Sequence, residues 1–333
     1  MKKYILLITV LVTVFSCKKE KEIKSPKITY DVVLEQNLTV NDTYATGDVR
    51  RYGVMPDTGI GVHPKTKNKK IDELIKLASS GLEIVFPKGY YKTSLILSKK
   101  ANITMKFNDA AFSGSVQLKD STHNIRLNGH IKSYSSFVFN TAHNITCNKL
   151  TVLDNTEKNI SKLRPSGVHI LNDSRDITID KIIVKGVGEN KYSHAALKVY
   201  GYPKLPSYVR IDELSVESSD VNGVLIMGEE IYINKVAVKS FGHAKENNLA
   251  KLSNLPKDFD KNNYVGLWLN KNTSSIYKYV SVNTVNEQVA VRLGTGNSED
   301  PTVISELKLQ DKKNTEFLVD DAETTNVVVE KLL

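Results

Sequence analysis

The sequence predicts an all-β chain wound as a parallel β-helix, and three observations predict it. The first is a short strand closed by Asn or Asp that recurs along the chain. It stands at Asn124-Ile-Arg-Leu-Asn128, Asn144-Ile-Thr-Cys-Asn148, Asp176-Ile-Thr-Ile-Asp180, Tyr208-Val-Arg-Ile-Asp212 and Glu230-Ile-Tyr-Ile-Asn234, with a sixth copy at Tyr279-Val-Ser-Val-Asn283. The second is that four copies run into a common second strand, at 149–152, 181–184, 213–216 and 235–238. The third is the spacing of the closing residues, 20 from Asn128 to Asn148 but 49 from Asn234 to Asn283. Uneven spacing describes one coil of backbone with loops of different length let out between strands, not a tandem array of equal units.

Apolar residues at i and i+2 turn one face of each strand inward. Strands this short cannot bury that face alone, whereas stacked coils make a continuous core. Asn and Asp suit a bend, because their side chains bond local backbone and tolerate left-handed geometry, and stacked copies can bond to one another in a ladder. A propeller or sandwich relies on tight hairpins, whose strongest signals are Asn-Gly and Asp-Gly. Asp-Gly is absent, and Asn-Gly occurs only at Asn128-Gly129 and Asn222-Gly223, where a local hairpin is allowed.

In chain order, Lys2 and Lys3 precede an apolar run that ends at Ser16-Cys17. The run is too short to span a membrane and has the layout of an export signal. A small residue directly before Cys resembles a bacterial lipobox, with Val14-Phe15 a loose match, and implies lipidation at Cys17. The expected divisions are a lipoprotein signal at 1–17, a charged, apolar-poor tether at 18–45 and a single β-helix domain at 46–333, with a cap at 46–110 and coils at 111–333. Loss of Lys2 and Lys3 lowers the net charge from +9 to +7, still basic. Cys147 is then the one remaining thiol, which excludes an internal disulfide and a Cys-based zinc site. It shares the inward parity of Ile145, as a buried apolar thiol does.

Residues 47–110 carry a Tyr-Gly strand, an Asp-bearing turn, a helical pattern (Ile71, Leu74, Ile75, Ala78) and Phe86-Pro-Lys-Gly-Tyr90. This order resembles the start of the pectate-lyase-like right-handed β-helix superfamily, with residues 60–70 as an insertion. The resemblance implies a right-handed coil whose helix caps the open N-terminal end and shields its core.

A third strand follows a variable loop in each later coil. Aligning its inward pairs leaves one outward column: His169, Lys198, Leu225, Trp268 and Arg292. The residue two before each is Gly or Ala, which suggests a small-residue floor. With coils about 4.8 Å apart the column spans about 19 Å, the scale of a few sugar rings. The loops before these strands carry Lys158, Lys162 and Arg164, then Tyr192 and His194, then His243, Lys245, Lys251, Lys257, Lys261 and Tyr264. Long loops are often functional, and this content favours an anionic ligand.

Glycoside hydrolysis normally needs two carboxyl groups flanking the bond. The column has none, and Asp220, Glu287, Asp320 and Asp321 do not pair at matching positions. β-Elimination on a uronate needs a base for the C5 proton, a cation for the carboxylate and an acid for the C4 oxygen. Lys198 is the expected base, its pKa depressed by neighbouring cations. His169 or His194 is the acid or alternative base, and Arg292 holds a carboxylate or sulfate. Trp268 stacks on a sugar, Tyr192, Tyr200 or Tyr264 donates a proton, and Arg164 adds to binding.

The resemblance implies the same chemistry, since β-helix lyases commonly use a Lys or Arg base on an outer groove, some with calcium. No carboxylate cluster has calcium-loop spacing, so no cofactor or metal is assigned. If hydroxide leaves from C4, the same residues dehydrate a terminal uronate instead of cutting a chain. Lipid-anchored β-helix proteins of this size resemble components of algal-polysaccharide degradation, where ulvan-type sulfated uronates are lysed or dehydrated. The sequence leaves three functions open: such a carbon–oxygen lyase, a uronate epimerase, and a non-catalytic surface glycan-binding lipoprotein. The expected partner is an anionic poly- or oligosaccharide. Despite the basic charge no aromatic-basic motif for nucleic acid is present. The chain is expected to be an exported monomer, joined to the outer membrane only through its lipid anchor.

Overall fold

Alternate Ile, Val and Leu side chains set the architecture, and their parity shows where each coil turns. The computed structural model describes residues 30–155, 165–188, 194–243, 264–284, 289–294, 300–310, 316–319 and 326–333. Two short α-helices, α1 (Val32–Leu38) and α2 (Lys70–Ser79), precede the strands, and between them a 3-10 turn at Val49–Tyr52, closed by left-handed Gly53, replaces the expected Tyr-Gly strand. The first coils hold β1 (Ile84–Phe86), β2 (Gly89–Tyr91), β3 (Leu95–Ser98), β4 (Ala101–Phe112), β5 (Val116–Lys119), β6 (His123–Ser133) and β7 (Ser136–Asn140). The middle coils hold β8 (His143–Val152), β9 (Gly167–Leu171), β10 (Arg175–Val184), β11 (Ala195–Tyr200), β12 (Ser207–Val216), β13 (Asn222–Ile226) and β14 (Glu229–Val238). The last hold β15 (Val265–Leu269), β16 (Ile276–Asn283), β17 (Val289–Leu293), β18 (Thr302–Gln310), β19 (Glu316–Val319) and β20 (Val327–Leu332).

Even-numbered strands stack as one sheet in the order β4-β6-β8-β10-β12-β14-β16-β18-β20, with β1 and β2 beside β4, and odd-numbered strands from β3 to β19 stack as the other. Every strand pair is parallel. This is the right-handed parallel β-helix expected, and its core is the column of inward side chains between the sheets. Ile177, Ile179, Ile182 and Val184 of β10 are fully buried, as are their partners on β12. Each such side chain contributes roughly 1.5–3 kcal/mol.

Several sequence expectations are corrected. The two predicted strands of a coil are one strand of ten residues, because Asn148 and Lys149 both point outward and reverse the parity without ending the pairing. The same reversal recurs at Asp180-Lys181 and Asp212-Glu213, so the closing residue does mark a bend. Left-handed backbone sits instead at the opening residue: Asn102, Asn124, Asn144, Asp176, Tyr208, Glu230 and Ser274 all have φ between 48° and 57°. Segment 279–283 belongs with the second half of the long strand, since Tyr279 faces Lys235 and Tyr277 faces Ile233. The displacement is five residues, and it leaves the apolar pattern unchanged because parity reverses at Asn234-Lys235, so Val280 and Val282 fit either half of the strand. Neither Asn-Gly pair makes a hairpin. Gly129 lies at a bulge, and Asn222 opens a strand parallel to both neighbours.

Ladders form at both ends of the first half-strand. Asn124 Nδ2 donates to Asn102 Oδ1 at 3.0 Å and Asn144 Nδ2 to Asn124 Oδ1 at 2.7 Å. At the closing position, Asn148 Nδ2 donates to Asp180 Oδ2 at 2.8 Å and Asn234 Nδ2 to Asp212 Oδ1 at 3.0 Å.

The expected capping helix is α2, which buries Ile71, Leu74, Ile75, Leu77 and Ala78. Beside it, buried Glu35 accepts from Arg51 Nε at 2.7 Å and from the Tyr52 hydroxyl at 3.1 Å. Burial alone would raise its pKa, but the Arg51, Thr39 and Tyr52 hydrogen bonds hold it below the usual range. Cys147 is buried as expected, and burial pushes its thiol pKa up.

Candidate functional site

The outward column is real in register. His169 faces Lys198, Lys198 faces Leu225, Leu225 faces Trp268, and Trp268 faces Arg292, each on the next coil of the short-stranded sheet. Strand pairing also starts a second outward column. Two residues further on, Leu171 pairs with Tyr200, and Met227, Asn270 and Gly294 continue the row just past the strand ends, where their amides donate to the Val199, Ile226 and Leu269 carbonyls of the preceding coils. Leu171, Met227 and Asn270 were missed by sequence reasoning, although the i+2 rule applied to the first column would have found them. Neither column contains a carboxylate.

Lys198 and Tyr200 share one outward side of β11, and the Lys198 ammonium lies 4.8 Å from the Tyr200 ring centroid. Burial lowers the Lys198 pKa, which corrects the expected cause, neighbouring cations. A half-buried ammonium loses hydration that its neutral form does not need.

His169 has outward parity yet is only 6% exposed. Its Nε2 lies 2.6 Å from the Ser166 carbonyl, so that nitrogen carries the hydrogen and donates. Burial first, and the charges of Lys198 and His194 after it, push its pKa down to about 4 against the pull of the Ser166 bond. A ring neutral at pH 7 is a poor general acid, so the acid role expected of His169 is corrected. His194 is exposed at the start of β11. Surrounding protein and then Lys198 hold its pKa below the ordinary value even so.

Arg292 stacks on Trp268, with Cζ 4.6 Å from the ring centroid. The indole Nε1 is buried without a hydrogen-bond partner. Three coils, about 14 Å at 4.8 Å per coil, separate Arg292 from Lys198. Arg292 and Lys198 therefore stand at different points along a column the length of a few sugar rings.

Tyr264 is 4% exposed and packs in the hydrophobic core, so its ring is not a ligand platform. The Gly/Ala positions are likewise buried rather than a floor. A Cβ on Gly167 would meet the Ala196 carbonyl oxygen at 2.4 Å, and one on Gly223 the Gly266 oxygen at 2.4 Å. Close stacking of coils at the strand entrance demands these small residues. Asn222, also missed, bridges the rim: its Nδ2 donates to the His194 carbonyl at 2.7 Å, and its Oδ1 accepts from the Val265 amide at 2.7 Å. His243 is exposed and hydrogen-bonded to the Ser240 hydroxyl. Tyr192, Arg164, Cys17, Lys158, Lys162, Lys245, Lys251, Lys257 and Lys261 lie outside the described residues.

Among the described residues, no group of three or more His, Cys, Asp or Glu gathers to hold a metal ion, and no helix is long and apolar enough to cross a membrane. No protein-family model matches the chain, and no curated protein or solved structure matches it.

Proposed function

We propose that this chain is a carbon–oxygen lyase that acts by β-elimination on an anionic, uronate-containing poly- or oligosaccharide. One observation carries the reading: Lys198, its ammonium disfavoured by burial, stands on a two-column face of aromatic, apolar and cationic side chains without a carboxylate. Lys198 in its neutral form removes the C5 proton. His194 is open to solvent and close enough to feel the Lys198 charge, so it receives the carboxylate on which negative charge develops. The Tyr200 hydroxyl, on the same side of β11, protonates the departing C4 oxygen. Trp268 and Arg292, two and three coils away, bind a more distant sugar and its anionic group.

Loss of a sugar from C4 cleaves the chain, and loss of hydroxide dehydrates a terminal uronate. The reading extends to a sulfated, ulvan-type substrate and to an exported protein held at the outer membrane by a lipid on Cys17. It follows the pectate-lyase-like pattern that residues 47–110 resemble. A second reading, non-catalytic glycan binding, is favoured by the placement of both Lys198 and Arg292 on aromatic rings.

The test is a panel of uronate oligosaccharides, neutral and sulfated, followed by ultraviolet absorbance and mass spectrometry. A 4,5-unsaturated product supports the lyase, and loss of one water without cleavage marks the dehydratase. Binding without any unsaturated product supports the second reading. Deuterium uptake at C5 from heavy water, with the sugar kept saturated, indicates an epimerase instead.

A further inference from the structure

The outer face of the long-stranded sheet carries a side-chain relay that the saccharide site does not use. The pairing of β4 with β6 shifts between Phe107 and Ala110, and that of β6 with β8 shifts between Leu127 and His130. Such bulges re-aim side chains and are over-represented beside active sites. At the first bulge Asp109 takes a left-handed φ of 62°. Its Oδ1 lies 2.8 Å from His130 Nδ1 on the next coil, and His130 Nε2 lies 2.8 Å from the Thr151 hydroxyl on the coil after that. Lys132 Nζ also reaches Asp109 Oδ1, at 2.7 Å.

We propose that Asp109, His130 and Thr151 form a second reactive centre, an acyl-transfer relay with Thr151 as nucleophile, which hydrolyses carboxylic esters of small acyl groups. The order carboxylate, imidazole, hydroxyl is the constellation that activates a nucleophile whatever the fold carrying it. Its partners fix the tautomer. Asp109 takes the Nδ1 hydrogen, which leaves the Nε2 lone pair facing the threonine hydroxyl. Burial first, then Lys149 and Lys132, push His130 down to about 4 despite Asp109, so the ring is neutral and able to accept at ordinary pH. The two ammonium groups that disfavour a charged imidazole also favour an oxyanion in the same place. Thr151 is 2% exposed, but His130 and Lys132 beside it are each 23% exposed, so the hydroxyl lies one side chain beneath solvent. Ile183 is the register partner of Thr151 on the following coil, and the near-complete burial of the hydroxyl limits the acyl group to a short one.

In the reaction Thr151 Oγ bonds to the ester carbonyl carbon while its proton passes to His130 Nε2. The bond from that carbon to the alcohol oxygen then breaks, and Nε2 returns the proton to the leaving alcohol. Water attacks the threonyl ester and gives a proton to Nε2. Release of the carboxylic acid restores the threonine hydroxyl with that proton. No oxidant or further co-reactant enters.

The centre stands apart from the lyase reading and is tested separately on the full chain. Turnover of p-nitrophenyl acetate is followed, and an acyl-directed fluorophosphonate is mapped by mass spectrometry. Hydrolysis by the wild type with the label on Thr151, lowered about 100-fold or more in Thr151→Val and His130→Asn and retained in Thr151→Ser, is the expected result. Hydrolysis no faster than free imidazole, a label elsewhere, or Thr151→Val as active as wild type overturns it. A lowered melting temperature in Thr151→Val, with an inert wild type, identifies a purely structural link between three coils and also overturns it.

Discussion

The outer faces of the two sheets use the same backbone repeat in opposite ways. On the long-stranded sheet several polar groups are answered by the next coil, and Lys278 lies over the Tyr232 ring. Asn148 bonds Asp180, Lys181 bonds Glu213, Lys235 approaches the same Glu213 at 3.8 Å, and Lys239 bonds Glu217. On the short-stranded sheet the cations of the two columns meet aromatic rings, with no carboxylate in either column. The ion pairs and amide bonds of the long-stranded sheet tie coil to coil along its face. Columns that carry Lys198 and Arg292 and no carboxylate of their own are complementary to an external anion. The difference teaches that one backbone repeat can carry coil-to-coil bonds on one face and cations stacked on aromatic rings on the other.

The sharpest way to break this contrast is Lys198→Ala. It should lower lyase turnover by about 100-fold to 10,000-fold, the range for losing a general base, while circular dichroism and melting stay as in the wild type. Turnover should also climb with pH through a value below that of an ordinary lysine, because the active form is the neutral amine and burial lowers its pKa. A flat profile through that range removes Lys198 as the base.

A smaller effect is expected where the short-stranded sheet is packed rather than exposed. Gly223→Ala would press a methyl group against the Gly266 carbonyl oxygen and should cost roughly 1–3 kcal/mol in chemical denaturation. An unchanged midpoint would restore the idea of an open floor. On the other sheet, Asp180→Ala removes one ladder bond and should cost about 0.5–1.5 kcal/mol without altering turnover. Smallest is Lys181→Ala. Its pair with Glu213 is about a third exposed on both sides, so solvent screening keeps the loss below about 1 kcal/mol.

The fold was legible because burial imposes a period of two, and that period survives in nearly every coil from Ile103 to Leu307. What the period could not reveal is an odd displacement across the bend where parity reverses, so segment 279–283 fits the first half of the strand as well as the second, where it lies. The outward column was legible by the same parity, and its five members do stand in register. Parity says nothing about what covers an outward side chain, and His169 is buried despite its outward parity, while Tyr264, expected on a loop, is buried in the core. Nor does it reveal a bulge, which is why the contacts among Asp109, His130 and Thr151 left no trace in the repeat. The Gly/Ala series was visible but ambiguous, since a ligand and a neighbouring coil exclude a Cβ equally well.

The stacked left-handed residues have a practical consequence. Asn occupies the first three of those seven positions, but Tyr208, Glu230 and Ser274 hold the same backbone geometry with side chains less suited to it. Asparagine at these three sites would relieve local backbone cost and lengthen the amide ladder toward the C-terminus. Such a chain would be a more heat-tolerant scaffold, with the outward columns of the short-stranded sheet left as they are.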